Sequence, residues 1–324
     1  QKSAAVVDVS GSGMQITIFS KGKVITTEHL GLSTMRMREQ LSRKSVNLAQ
    51  YELQIEELAE KELEVFRSIY MDEVEIEYLV IIGDYITELF RKVEKNKDGH
   101  TVSVKKFSKL LDKVCCKSQE EMAEELGLSS DRDGLFIPYL MIFKCMAKYL
   151  GAKELWAPGS NISDGIACDY AEKHNIYKVT HDFDADILSA AWSLSNRYRS
   201  YSPHIDALTQ MATLLFDTMK NVHGLGKRER LLLQVAAILH DCGKYISMGN
   251  VAECSYQIIM STDIIGLSSL ERKMIASAVR YNTSSFGDYE ELQMMGAGID
   301  RESYIKIAKM TAILRLANAM DRSH

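Results

Sequence analysis

The chain has 324 residues, with 39 Lys and Arg against 44 Asp and Glu and a formal net charge of −5. That balance argues against nucleic acid as a partner, since nucleic-acid binders carry a basic footprint, and no apolar run approaches the roughly 20 residues that span a bilayer. With 46% hydrophobic residues the chain can bury two cores, and with no charged leader ahead of an apolar stretch it is expected to be cytoplasmic, without a membrane partner.

In chain order, Ala4 to Val9 reads as a buried strand, Gln15 to Ser20 as a second and Val24 to His29 as a third, with Lys21-Gly22 as a hairpin turn. Between the first two lies Asp8-Val9-Ser10-Gly11-Ser12-Gly13, an aspartate at a strand end followed by small residues. Such residues let backbone N–H groups approach a phosphate, and the aspartate suits its magnesium; a plain hairpin turn is the competing reading. Helices follow at Ser33 to Leu41 and Leu48 to Tyr70, then a strand at Tyr78 to Ile82 and a helix from Tyr85. Later come a strand at Lys153 to Ala157 and a helix at Asp164 to Lys173. Three meandering strands followed by alternating helix and strand predict an α/β lobe that resembles RNase H, the half-unit of the actin, sugar kinase and Hsp70 ATPase fold. Glu52, Glu56, Glu57, Glu60, Lys61, Glu62 and Glu64 mark the solvated side of the long helix, and Lys105, Lys106, Lys109, Lys113 and Lys117 a second stripe that reads as a solvated face, with guidance of a polyanion as the alternative.

The helical pattern breaks between His174 and Asp186, which divides the chain into a lobe over 1–178 and a helical domain over 179–324. In the second part, Ser202-Pro203 reads as a helix start and puts His204 in the first turn. An apolar helical run ends in His240-Asp241-Cys242-Gly243-Lys244, and the last helix ends at Asp321. Imidazole nitrogen and carboxylate oxygen both suit a divalent cation, while core packing or capping is the bland alternative. Cys115, Cys116, Cys145, Cys168, Cys242 and Cys254 show no zinc-type spacing and read as reduced, mostly structural thiols.

His, His-Asp and Asp on three helices resemble the HD phosphohydrolase superfamily. The resemblance implies that His204, His240, Asp241 and Asp321 hold a divalent metal, Mg or Mn, that activates water. It makes Asp241 catalytic and puts Lys244 beside the substrate. No histidine lies between His240 and Asp321, so one metal rather than two is expected.

The order Asp8 to Gln15, then Leu30-Gly31-Leu32-Ser33-Thr34-Met35-Arg36, then Gly83, then Ser163-Asp164-Gly165-Ile166, resembles the second lobe of the exopolyphosphatase and guanosine pentaphosphate phosphohydrolase family, Ppx/GppA. That family continues into a helical domain of HD type. The resemblance implies phosphate binding at Asp8, Ser10, Gly11, Ser12, Gly13 and Gly83, with polyphosphate or a guanosine phosphate as substrate and a homodimer paired through the helical domain. The chain begins at Gln1 and enters a strand at once, so it reads as the carboxy-terminal piece of a two-lobed enzyme whose first lobe is missing.

The departures from the family are specific. Its loop reads Asp-Ile-Gly-Gly-Gly-Ser-Thr-Glu, so Gln15 lacks the acidic charge. Its second phosphate loop becomes Gly83-Asp84-Tyr85, its His-x-His-Ser stretch becomes Ala252-Glu253-Cys254-Ser255, and a histidine becomes Asn282. Two readings follow: a Ppx/GppA-type phosphohydrolase with a metal-dependent HD site, or a catalytically degenerate module that senses a phosphate or nucleotide or dimerises.

Overall fold

The computed structural model describes residues 3–42, 48–71, 74–83, 86, 87, 89, 90, 100–115, 121, 133–294 and 298–321. The chain divides into two compact units whose main boundary falls between Thr180 and His181.

The first unit is built on a sheet of strands β1 (Ala4–Val9), β2 (Met14–Ser20), β3 (Lys23–Leu30), β4 (Tyr78–Ile82), β5 (Thr101–Ser103) and β6 (Glu154–Trp156). Their order is β3-β2-β1-β4-β6-β5. Lys21 and Gly22 both hold positive φ, 53° and 77°, the backbone of a two-residue turn whose twist matches the strands it joins. β1 runs antiparallel to β2 and parallel to β4, and β4 runs parallel to β6. A meander followed by parallel strands reached through helices is the RNase H-like lobe. β5, unforeseen in the sequence, adds an antiparallel edge to β6; three residues are too few to show an alternating pattern.

Helices α1 (Thr34–Ser42), α2 (Leu48–Tyr70), α3 (Val104–Cys115), α4 (Asp133–Leu150) and α5 (Ile162–Lys173) complete the unit. In α2 the stripe Ile55, Ala59, Leu63 and Phe66 is buried, at spacings of four, four and three that keep it on one face. Glu57, Glu60, Lys61 and Glu64 are exposed opposite it, and Lys105, Lys106, Lys109 and Lys113 are exposed on α3. α5 starts two residues earlier than its apolar pattern suggests. Asn161 accepts from Asp164 N–H at 3.1 Å while the Asp164 carboxylate takes the Asn161 N–H at 2.9 Å, a reciprocal cap that satisfies two orphan donors.

The second unit is all-α and HD-like. Its helices are α6 (Phe183–Arg197), α7 (Ser202–Thr218), α8 (Lys220–His223), α9 (Lys227–Leu239), α10 (Val251–Ser261), α11 (Ser269–Arg280), α12 (Tyr289–Met294) and α13 (Arg301–Asp321). From Leu231 to Leu239 only Gln234 of α9 is not buried, because α6, α7, α11 and α13 all pack against it. An all-round apolar helix of this kind belongs at the centre of a bundle, and its carboxy-terminal end carries His240 and Asp241. Among the described residues, no helix is long and apolar enough to cross a membrane.

Candidate functional site

At the end of α9, His240 still holds helical backbone angles, after which Cys242–Tyr245 tightens into a 3-10 turn. Gly243 makes the turn feasible, since a Cβ there would overlap the backbone of Val251 and Ser255. The Ser255 hydroxyl accepts the Gly243 N–H at 2.8 Å and donates to the His240 carbonyl at 3.2 Å. The sequence pattern does not announce this staple, although Ser255 stands at the serine of the family's His-x-His-Ser stretch.

The turn aims two side chains at His204, which Pro203 places in the first turn of α7. Ligand atoms of His204, His240 and Asp241 all lie within 4.8 Å of one another. The two imidazoles face each other with Nε2 atoms 3.0 Å apart. His240 Nδ1 lies 2.9 Å from the Ala237 carbonyl, an acceptor only, so Nδ1 carries the proton and Nε2 presents a lone pair. His204 Nδ1 is hydrogen-bonded to the Asp321 carboxylate, which leaves its Nε2 likewise bare whenever the ring is neutral. Two lone pairs at that separation repel unless a proton or a cation lies between them.

Burial, the dominant effect, pushes the His240 pKa down to about 4, so the ring is neutral at pH 7. Burial opposes ionisation of Asp241, but the His240 ring and the Lys244 ammonium outweigh it and hold the carboxyl below its usual range. Lys244 Nζ donates to Asp241 Oδ2 at 2.8 Å, while Asp241 Oδ1 is buried without a hydrogen bond, the nearby Ser200 hydroxyl adding a small further preference for the ionised carboxyl. His223 is a useful contrast. Its Nε2 lies 2.8 Å from the Phe216 carbonyl and its Nδ1 accepts the Leu225 N–H at 2.9 Å, so both nitrogens are spent on structure.

These side chains line a cleft of about 640 Å³ in the helical unit, which also takes in Tyr201, Met248, Asn282 and Asn318. Asn282 is buried, and its Oδ1 has no donor. Sequence reasoning did not find Tyr201, Met248 or Asn318, since their contribution lies in how separate helices converge.

In the first unit, Asp8 pairs with Gln15 of β2 and Ile82 of β4. The turn after β1 and Gly83 after β4 therefore share the carboxyl end of the parallel strands, where open α/β sheets bind ligands. The turn is closed on itself. Ser10 N–H donates to the Gly13 carbonyl at 2.8 Å, and Gly13 N–H donates to Ser10 Oγ at 3.2 Å. Gly11 abuts Met35, with only 2.9 Å from a Cβ position to Sδ. Gly83 has φ +147° and the Tyr139 hydroxyl 2.6 Å from where a Cβ would stand, so it admits no side chain without a shift. Asp84 and Tyr85 lie outside the described residues, as do Cys116 and Lys117.

Residues 189–324 match the sequence model of Ppx/GppA phosphatase, domain III. Over that segment this chain is similar to the Ppx/GppA phosphatases. Among curated relatives, the guanosine-5'-triphosphate,3'-diphosphate pyrophosphatase of Aeromonas hydrophila subsp. hydrophila is 24% identical over 319 residues, 96% of this chain and 60% of that protein. The protein of the same name from Aeromonas salmonicida is 24% identical over 213 residues, 65% of this chain and 41% of that protein. The chain thus spans 60% of the length of the first of these relatives. Of the solved structures, the Aquifex aeolicus family member is 17% identical and superposes with a TM-score of 0.45 over 54% of this chain and 58% of that one. An exopolyphosphatase from Cytophaga hutchinsonii is 11% identical, with a TM-score of 0.45 over 53% of this chain and 58% of that one.

Proposed function

We propose that this chain is part of a phosphohydrolase that removes terminal phosphate from guanosine pentaphosphate or polyphosphate, and that its helical unit holds one divalent ion on His204, His240 and Asp241. The observation that carries the metal reading is the pair of facing Nε2 atoms 3.0 Å apart beside a buried carboxylate oxygen that has no donor. A cation between them resolves both the repulsion and the orphaned oxygen, and two imidazoles with a carboxylate favour Mn over Mg.

When bound, such an ion supplies an activated water and neutralises charge on a phosphate. The surrounding residues orient the ligands. Asp321 holds the Nδ1 proton of His204 and the Ala237 carbonyl that of His240, which fixes both rings and turns each Nε2 toward the centre. Lys244 engages Oδ2 of Asp241 and leaves Oδ1 for the ion. In the first unit, Asp8, Gly83 and the turn from Ser10 to Gly13 are the proposed phosphate-binding residues.

Elemental mass spectrometry after incubation with manganese tests the metal reading. We expect about one ion per chain, lost in Asp241→Ala and retained in Asp8→Ala. No bound ion in the unaltered chain would overturn it.

A second reading, a sensing or dimerising module without turnover, is favoured by one observation: the turn spends the N–H groups of Ser10 and Gly13 and the Ser10 hydroxyl internally. Tight phosphate binding to the full chain with no phosphate release would select it.

A further inference from the structure

We propose that the helical cleft recognises a nucleoside monophosphate rather than a chain of phosphates. The inference rests on the reading of His204, His240 and Asp241 as a metal site and adds what the rest of the cleft requires of its ligand.

Charge limits the number of phosphates. Among the described residues that line the cleft, one lysine stands against two aspartates, Asp241 and Asp321, and its ammonium already engages Asp241 at 2.8 Å. With a divalent ion bound, the cleft carries a single net positive charge. One phosphate, at about −1.5 to −2, is nearly matched by that charge. Among the described residues the next cation is Arg315 in the adjoining hollow, and its guanidinium already donates to the Tyr281 and Ser284 carbonyls, so each further phosphate would be desolvated with little to offset the cost.

The walls specify the rest of the molecule. Asn282 and Asn318 are each only 7% exposed and line the cleft, and the Asn282 carbonyl oxygen has no donor. Thr283 and Ser284 continue the polar wall. A buried amide oxygen without a partner suits a ligand that donates, as sugar hydroxyls and base amino groups do and an ionised phosphate chain does not.

The mouth supplies a surface for a flat group. Tyr201 is 69% exposed and Met248 78% exposed, and both line the cleft. An exposed aromatic ring and a polarisable thioether at the entrance of a polar cleft suit a nucleobase, which stacks on either without needing a charge. The volume, about 640 Å³, lies in the range of small-molecule sites.

Isothermal titration of the Mn-loaded full chain with guanosine monophosphate, tripolyphosphate and inorganic phosphate tests this, counting only the binding that Asp241→Ala abolishes. The nucleotide is expected to bind about tenfold or more tightly than tripolyphosphate. Tyr201→Ala, at an exposed position with no capping hydrogen bond, is expected to weaken the nucleotide about fivefold or more and leave inorganic phosphate unchanged. Tripolyphosphate binding as tightly as the nucleotide overturns the proposal while the metal reading stands, and so does a Tyr201→Ala chain with unaltered nucleotide affinity. A chain that retains no manganese overturns both.

Discussion

Ser255 governs the backbone of His240 from a different helix: one hydroxyl donates to the His240 carbonyl at 3.2 Å and accepts the Gly243 N–H at 2.8 Å. The imidazole that faces His204 is therefore positioned by a fully buried serine that does not itself line the cleft. Ser255→Ala leaves the Gly243 N–H buried and unpaired, which costs roughly 1–3 kcal/mol. Urea unfolding should show that loss, and manganese titration should show weaker binding in the folded variant.

Gly243→Ala should be worse. The added methyl would meet backbone atoms of Val251 and Ser255, which cannot rotate away as a side chain could. Destabilisation of about 3 kcal/mol or more is expected, read as a lower urea midpoint or loss of soluble protein. Gly224→Ala is the contrasting control: nothing stands within 4 Å of its Cβ position, but φ is +64°, so a cost of about 1 kcal/mol is expected.

Stability of the chelator-treated protein should fall in acid through His240. Its native pKa of about 4 lies below the ordinary 6.5, so between those values the unfolded chain binds a proton that the native chain refuses. The contribution is neutral above about pH 6.5 and costs up to about 3 kcal/mol as pH falls to 4. Asp241 is shifted the same way but acts in a lower window: its stabilising effect is present above the unfolded value of 3.8 and is lost below it. Urea midpoints at pH 7, 5.5 and 4.5 should decline for the unaltered chain and decline less for His240→Gln.

Thiol chemistry should separate two cysteines. Cys168 is exposed while Cys242 is buried, and burial pushes the Cys242 thiol up to about 12. Iodoacetamide at pH 8 should alkylate Cys168 in the native protein and reach Cys242 only in urea, as peptide mass spectrometry would show. Labelling of native Cys242 at the rate of Cys168 would contradict the packing of the 3-10 turn.

Much of the architecture is legible from local pattern. The short apolar run of Ala4 to Val9, the turn chemistry of Lys21-Gly22 and the apolar stripe of α2 each concern residues close in sequence, where local pattern is enough. Ser202-Pro203 likewise announces the helix that carries His204. The edge strand β5 does not announce itself, because three residues have no period, and the start of α5 depends on a reciprocal cap rather than on hydrophobicity.

The candidate site divides in the same way. Residue type marked the adjacent His240 and Asp241 as suited to a cation, and the resemblance to the HD superfamily added His204 and Asp321 to the set. Only the tertiary structure decided that Asp321 lies on the outer nitrogen of His204, that the two Nε2 atoms face each other, and that Tyr201, Asn282 and Asn318 share their cleft. Ligand chemistry is a property of a side chain and can be read one residue at a time, whereas lone-pair direction, burial and charge balance exist only where five separate helices converge.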